Sequence, residues 1–203
     1  MLQADSPPLV LASASAARRA LLAAAGLRVS AVAAPVDEEE VRRSAQAEGA
    51  SASEAAVLLA DLKARHAARG APEALVIGAD QILVCEGAWF AKPATLDDAS
   101  AQLRALRGRT HVLETAVVCR RAGARVWQHL DRPRLAMRAF SDAFLEEYLR
   151  AEGDAVLGSV GAYRLEGLGA HLFERVEGEH AAILGLPLLP LLGFLRQHGV
   201  LAT

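Results

Sequence analysis

The chain has 203 residues, of which 53% are hydrophobic, and a formal net charge of −2. This length and apolar content predict one domain, residues 1–203, with a core that folds without disulfides. The charge excludes a general electrostatic attraction to nucleic acid or to an anionic membrane, so phosphate binding would depend on local clusters of basic residues.

We expect neither export nor a membrane span. The stretch from Leu9 to Ala17 resembles a signal peptide, but Asp5 precedes it and no Lys or Arg does. The uncharged stretch from Ala181 to Leu195 is shorter than a span and is interrupted by proline and glycine. Cys85 and Cys119 lie in apolar runs, which predicts buried free thiols and a reducing cytoplasm.

The first predicted elements are a short strand at Leu9–Ala12 and a helix from Ala16 to Ala25. Ser15 is a good N-cap for this helix, and Gly26 ends it.

The start of this helix is suited to a phosphate chain. Arg18 and Arg19 fall in its first turn, where the positive end of the helix dipole disfavours cations unless an anion lies nearby. The hydroxyls of Ser13 and Ser15, the first backbone N–H groups and the guanidinium groups could all donate hydrogen bonds to phosphate. Solvated surface arginines explain the spacing equally well, so both interpretations stay open.

Two further helices carry charged candidates. The acidic run Asp37–Glu40 predicts the solvated start of a helix, and the pattern favours this over carboxylates that bind Mg²⁺ or orient water. Ser51 and Glu54 form a capping-box pattern that opens the next helix. Lys63 lies beside the apolar face of that helix, where a lysine typically extends its ammonium to water.

The most informative stretch is Val76–Cys85, an apolar run with Asp80 and Gln81 in its middle. The pattern predicts a buried strand. An unpaired carboxylate there would be costly to desolvate, so we expect Asp80 to face a cleft, a cation or both. A purely structural buried ion pair is the alternative, but such pairs seldom add stability over apolar packing.

After Cys85 comes a two-residue turn signal, Glu86-Gly87, which predicts a hairpin. In the resulting register Cys85 faces Ala88 and Gln81 faces Lys92. An ammonium group therefore arrives level with the carboxylate of the first strand.

The rest of the chain alternates helices with strands and contains further hairpins, which predicts a mixed α/β sheet. We expect strands at 109–119, 126–130 and 135–139, and helices at 96–107, 142–150 and 187–198 with Pro187 at the first helical position. The glycine-rich stretch 158–169 predicts turns, or a backbone that approaches a ligand closely. The histidine and cysteine spacings predict no zinc site, and no nucleophile elbow of a serine hydrolase is present.

Several separate stretches share one resemblance. They are Leu11-Ala-Ser-Ala-Ser15, Arg18-Arg19, Leu21-Leu22, Ile77-Gly-Ala-Asp80, Lys92-Pro93, Gly108-Arg-Thr-His111, Gly161-Ala-Tyr163, Glu166-Gly-Leu-Gly169 and Gly185-Leu-Pro-Leu188. In this order they resemble the motifs of the Maf family of nucleoside triphosphate pyrophosphatases. The match runs from about Leu9 to Gly199, and the number of independent motifs makes it specific.

The resemblance implies an ITPase-like mixed α/β sheet with flanking helices, in two lobes around a central cleft. It also implies a divalent metal cation, Mg²⁺ or Mn²⁺, and hydrolysis of a nucleoside triphosphate to the monophosphate and pyrophosphate. By the family pattern the catalytic residues are Asp80, Lys63 and Lys92, the phosphate-binding residues are Ser13, Ser15 and Arg18, and the metal-binding residues are Glu38 and Asp80.

Three positions of the family pattern contact the base, and here they are Ala17, Gln81 and Glu166. The pyrimidine-directed group of the family typically has Arg, Thr and Gln at these positions, whereas Gln81 with Glu166 resembles the group that acts on 7-methyl-GTP. A carboxylate accepts two parallel hydrogen bonds, which the N1–H and N2 amino groups of guanine can supply and uracil cannot.

Ala16 and Ala17 depart from this pattern, because a proline and, in the 7-methyl-GTP group, an aromatic residue usually stand there. A stacking surface for the base is therefore missing, or Trp89, Phe90 or Tyr163 supplies it. Ala16 and Ala17 best support an alternative of another class, a nucleotide-binding regulator of cell division with little catalysis. A dTTP or UTP pyrophosphatase of the same family is a further alternative, which Gln81 and Glu166 disfavour. The resemblance also implies a homodimer.

Overall fold

The computed structural model describes residues 3–203, which divide into two compact units. The first unit contains the described residues up to Gln81, together with Thr115–Asp131 and Glu179–Thr203. The second contains Ile82–Glu114 and Arg132–Gly178. Each unit is thus assembled from segments that are distant in sequence. Two units agree with the two predicted lobes, while the cleft between them stays a prediction.

Strands and helices alternate along the described chain. The strands are β1 (Leu9–Leu11), β2 (Val29–Ala31), β3 (Leu75–Cys85), β4 (Ala88–Phe90), β5 (Thr110–Arg121), β6 (Ala124–Asp131), β7 (Arg134–Met137) and β8 (Phe173–Glu177). The helices are α1 (Ala16–Ala24), α2 (Glu38–Ala47), α3 (Ala52–Ala68), α4 (Leu96–Leu106), α5 (Asp142–Glu152), α6 (His180–Ile183) and α7 (Leu188–Gln197). Short 3₁₀ turns occupy much of the glycine-rich stretch, as predicted.

In the first unit, β1 pairs in parallel with both β2 and β3, whereas β5 pairs antiparallel with β6. Parallel and antiparallel pairs together confirm the predicted mixed α/β class. Apolar side chains from β1, β3, β5, α1 and α7 form the main core of this unit. The predicted capping box at Ser51 and the predicted N-cap at Ser15 are both present.

Helix α3 packs unusually close to β3 because small residues face each other there. A Cβ atom added to Gly78 of β3 would lie 2.1 Å from the carbonyl oxygen of Ala60 and 2.9 Å from the Cβ of Ala64. Real Cβ atoms do not approach backbone this closely, so only glycine fits at this position. The close approach therefore fixes the distance between β3 and Lys63, the residue before Ala64.

In the second unit, the end of β3 forms a hairpin with β4. Leu83 lies opposite Phe90 and Cys85 opposite Ala88, which confirms the predicted turn. Strand β7 pairs antiparallel with both β5 and β8. The predicted approach of Lys92 to Gln81 stays a prediction, because these residues belong to different units.

Two motif residues of the second unit contribute to its core. His111 Nε2 lies 2.8 Å from the Tyr163 hydroxyl, and the Tyr163 ring packs edge-on against Phe173 with centroids 4.8 Å apart. Burial lowers the pKa of His111 to about 4, so the imidazole is neutral at pH 7. Tyr163 is 5% exposed, and its role as a stacking surface for a base stays a prediction. Trp89 and Phe90, the other candidates, are both half-buried.

Three short elements were missed by the sequence patterns. Strands β2 and β8 and the four-residue helix α6 were not predicted, since so few residues show no clear periodicity. The C-terminal helix begins one residue later than predicted, at Leu188, because Pro187 has a ψ of 86° and occupies the N-cap.

The prediction of two buried free thiols is confirmed. Cys85 and Cys119 are both buried and free, and burial raises the pKa of each thiol above its ordinary value. Across residues 3–203, the structure contains no helix with the length and apolar character of a membrane span.

Candidate active site

A buried ion pair joins β3 to α3 in the first unit. Asp80 Oδ1 lies 2.5 Å from Lys63 Nζ, and the two residues are 2% and 7% exposed. The expectation that Asp80 faces a cation is confirmed. The interpretation of Lys63 as a surface residue is wrong, because the close packing of α3 on β3 turns this side chain towards Asp80.

Glu38 shares the same ammonium group. Its Oε1 atom lies 2.7 Å from Lys63 Nζ. Glu38 is the first residue of α2, whose N-cap Asp37 accepts a hydrogen bond from the Glu40 backbone N–H. The acidic run therefore starts a helix, as predicted, while its first glutamate also enters the cluster formed by Asp80 and Lys63. The solvated interpretation holds for Glu39 and Glu40, which are exposed.

Asp80 is well placed to accept a proton. Burial raises the pKa of this carboxyl group, Lys63 and Arg18 act to lower it, and Glu38 raises it again. Among the described residues, no group donates a hydrogen bond to the buried Oδ2 atom. A carboxylate with a raised pKa and an unused oxygen has the properties of a general base.

The helix start predicted to bind phosphate lies in the same unit. Ser15 caps α1 by accepting from the Arg18 backbone N–H at 3.3 Å, and the buried Ser13 Oγ accepts from the Ser15 N–H at 3.1 Å. The Arg18 side chain donates from Nε to the Gly185 carbonyl at 2.7 Å and from Nη1 to Ser13 Oγ at 3.4 Å. Arg19, in contrast, is exposed, so the surface interpretation holds for it.

Arg18 belongs to the same electrostatic cluster as the buried pair. Desolvation lowers the pKa of its guanidinium, while the charges of Asp80 and Glu38 raise it. Arginine stays protonated under these conditions. The cluster of Arg18, Glu38, Lys63 and Asp80 thus combines two cations with two carboxylates.

Gln81 follows Asp80 on β3, and its side-chain amide donates hydrogen bonds to three neighbouring groups. Its Nε2 atom donates to Thr115 Oγ1 at 2.8 Å and to the carbonyls of Ala182 and Ile183 at 3.0 and 3.1 Å. Ala17, another predicted base contact, is half-buried in the first turn of α1.

Comparison with known proteins identifies the family. The model of the family described as Maf-like protein matches residues 8–198. This chain belongs to the Maf family. It is 56% identical over 195 residues to a nucleoside triphosphate pyrophosphatase of Granulibacter bethesdensis, covering 96% of this chain and 99% of that protein. A protein of the same name from Rhodospirillum rubrum is 53% identical over 97% of this chain and 98% of its own length.

A Maf relative with a more specific name is also similar. The 7-methyl-GTP pyrophosphatase of Rhizobium meliloti is 45% identical over 195 residues, which cover 96% of this chain and 98% of that protein. The predicted family is therefore confirmed over nearly the whole chain.

Two predicted site residues of this Maf protein lie in the second unit. Lys92 is exposed just after β4. Glu166 is exposed in the glycine-rich stretch, where its Oε1 atom lies 3.5 Å from Arg164 Nε. The Arg164 guanidinium also contacts Glu152, whose side chain is 7% exposed. The roles of Lys92 and Glu166 stay predictions.

Some groups of the Maf site were missed by sequence reasoning. Thr115 and the carbonyls of Ala182, Ile183 and Gly185 hold Gln81 and Arg18 in place. Backbone carbonyls leave no side-chain signal in a sequence. The available signal in the sequence was the motif that begins at Gly185, because a glycine often marks a backbone conformation that other residues avoid. In the structure this glycine has a φ of +99°.

Proposed function

We propose that this Maf protein hydrolyses a nucleoside triphosphate to the monophosphate and pyrophosphate. The observation that carries the proposal is the buried contact of Asp80 with Lys63, at 2.5 Å, in one cluster with Glu38 and Arg18. The names of the relatives at 56% and 53% identity support the same activity.

The cationic side chains bind the phosphate chain in this proposal. Arg18 and Lys63 would neutralise phosphate oxygens, assisted by the Ser13 and Ser15 hydroxyls at the N-terminus of α1. Lys92 would add a further positive charge. Negative charge grows on the departing pyrophosphate during phosphoryl transfer, so positioned cations stabilise the transition state more than the ground state.

Asp80 activates the attacking water. The water oxygen forms a bond to the α-phosphorus while the bond from this phosphorus to the bridging oxygen breaks. Pyrophosphate leaves with the electron pair, and the water gives a proton to Asp80. The raised pKa of the buried Asp80 carboxyl group supports its role as the acceptor of this proton.

The donor set also fits a divalent cation. Glu38 and Asp80 supply carboxylate oxygens, and Mg²⁺ typically uses one or two carboxylates together with phosphate oxygens and water. The described part of the chain has no cluster of three acidic, histidine or cysteine ligands, so the substrate would complete the coordination. A bound Mg²⁺ or Mn²⁺ would neutralise phosphate charge together with Arg18 and Lys63.

We further propose that the preferred base is guanine, most specifically that of 7-methyl-GTP. Glu166 supports this, because its carboxylate can accept from N1–H and N2 of guanine and would attract the positive charge of a methylated base. The similarity to the Rhizobium meliloti enzyme points the same way. We also propose a homodimer, as the family resemblance implies, and a cytoplasmic location, since the two buried thiols are free.

A pyrophosphate-release assay tests the function. Purified protein with Mg²⁺ is given 7-methyl-GTP, GTP, dTTP and UTP in separate reactions. We expect monophosphate and pyrophosphate in equal amounts, fastest with 7-methyl-GTP, and loss of activity when EDTA removes the metal. Stepwise release of single phosphates would contradict the proposal, and tight binding without turnover would favour the regulator alternative.

Glu166→Gln is expected to reduce the discrimination between bases. An amide carries no charge and offers one acceptor atom in place of two, so the ratio of kcat/KM for 7-methyl-GTP to that for UTP should fall by about tenfold. Glu146→Gln, at an exposed position of α5 in the same unit, serves as the matched control and should leave the ratio unchanged. An equal ratio in the Glu166→Gln and wild-type enzymes would mean that Glu166 does not contact the base.

A further inference from the structure

The second unit contains a nearly buried carboxylate that the proposed chemistry does not use. It belongs to Glu152, the last residue of α5, whose side chain is 7% exposed. Its Oε1 atom accepts from the Leu168 backbone N–H at 3.0 Å, and its Oε2 atom accepts from Arg164 Nη1 at 3.3 Å. A carboxylate is costly to bury unless hydrogen bonds and opposite charge compensate it, and both partners here belong to one turn.

The two partners of Glu152 lie on either side of Glu166. Arg164 precedes this residue by two positions and Leu168 follows it by two. The turn between them is closed by a backbone hydrogen bond, from the Gly167 N–H to the Arg164 carbonyl at 3.1 Å. One carboxylate therefore holds both ends of the turn 164–168, and the exposed Glu166 lies at its centre.

Two glycines allow the backbone of this turn to pack closely. A Cβ atom added to Gly169 would lie 2.7 Å from the backbone nitrogen of Arg164 and closer still to its carbonyl oxygen. A Cβ atom added to Gly167 would lie 3.1 Å from Glu152 Oε1. The turn thus packs against itself and directly against the carboxylate, which leaves no room for a side chain at Gly169.

Arg164 also connects Glu152 to the side chain of Glu166. Its Nη1 atom binds Glu152, and its Nε atom lies 3.5 Å from Glu166 Oε1. A guanidinium is planar and has five N–H donors, so it can orient two carboxylates at once. Each carboxylate oxygen has two acceptor positions, so Glu166 still has acceptors for the N1–H and N2 amino groups of guanine.

We infer that Glu152 is a positioning residue for recognition of the base: it fixes the turn 164–168 and, through Arg164, the side chain of Glu166. This inference rests on the proposed function, in which Glu166 binds guanine. A preorganised carboxylate loses less side-chain entropy when the base binds. The effect of Glu152 is therefore specific to guanine and does not extend to the phosphate-binding groups of the first unit.

Binding of nucleoside monophosphates tests this inference independently of catalysis. Calorimetry gives the Kd of 7-methyl-GMP and of UMP, and the ratio of the second to the first is the base discrimination. Glu152→Gln keeps the size of the side chain but removes its charge and one acceptor atom. We expect about fivefold lower discrimination with little change in the Kd of UMP. Glu146→Gln, an exposed position of the same helix, is the matched control and should leave the discrimination unchanged.

A double substitution shows whether Glu152 acts through Glu166. In a Glu166→Gln background, Glu152→Gln should lower the discrimination no further, because the carboxylate that it positions is gone. A further loss would overturn the inference. So would unchanged discrimination in Glu152→Gln, equal weakening of both nucleotides, or wild-type protein that does not discriminate between them.

Arg164→Met provides a second variant in case Glu152→Gln is less stable. The Arg164 side chain is 38% exposed, so its loss should disturb the fold little while it removes the link to Glu166. We expect a similar fall in discrimination, and an unchanged ratio would also overturn the inference. The proposed function is judged separately, by pyrophosphate release from the wild-type enzyme.

Discussion

Asp80→Asn is expected to reduce kcat for pyrophosphate release by about 10³-fold. The amide has the size of the carboxylate but cannot take a proton from the attacking water. Burial raises the pKa of the Asp80 carboxyl group, so this pKa lies closer to the pH of the assay. The amide of asparagine does not act as a base at this pH. Initial rates of pyrophosphate release at saturating 7-methyl-GTP measure the effect.

The same substitution should leave the fold intact. Lys63 keeps Glu38 as an ionic partner at 2.7 Å, so its buried ammonium is not left without a carboxylate. A neutral amide is also easier to bury than a carboxylate. We expect a circular dichroism spectrum like that of the wild type and a Tm within a few degrees.

Asp61→Asn is the control for this experiment. Asp61 also lies on α3 and also forms a partly buried ion pair in the first unit, at 2.6 Å from Arg120. It has no role in the proposed chemistry, so pyrophosphate release should persist. Turnover by Asp80→Asn at the wild-type rate would remove Asp80 as the base, and equal losses in both variants would mean that the ion pairs act through stability.

The sequence predicted which residue types form the site better than it predicted where their side chains lie in the structure. A carboxylate inside an apolar strand required a partner, so Asp80 was found from its cost of desolvation. Lys63 was predicted to be a surface residue, because helical periodicity places it at the edge of an apolar face. No pattern within α3 shows how closely β3 approaches this helix. That distance depends on Gly78, in another element.

The same limit explains Glu38 and Gln81. Each lies in a local pattern with an adequate local explanation: a helix start for Glu38 and a strand for Gln81. Their partners, Lys63 and the carbonyls of residues 182–185, are distant in sequence. The family resemblance predicted metal binding for Glu38 and base contact for Gln81, and both roles stay predictions.

Gly78→Ala is expected to lower both stability and activity. The new Cβ would meet the carbonyl oxygen of Ala60 at 2.1 Å and the backbone N of Ala64 at 2.9 Å, and neither atom is the mobile end of a side chain. Overpacking of this kind costs about 3 kcal/mol, because α3 has to move away from β3. For a chain of this length that corresponds to a fall in Tm of roughly 6–12 °C, measured by thermal melting.

Activity should fall beyond what the lost stability explains. Lys63 lies on α3 and Asp80 on β3, so a shift of the helix lengthens their 2.5 Å contact and misplaces the ammonium that the phosphates need. Gly193→Ala is the matched control, since this glycine lies in a helix of the same unit and no atom of the described chain is within 4 Å of an added Cβ. Its Tm should be equal or slightly higher, because alanine favours helix. A Gly78→Ala enzyme that is folded at the assay temperature and fully active would contradict this prediction. It would mean that the close packing of α3 on β3 is not needed to place Lys63 for catalysis.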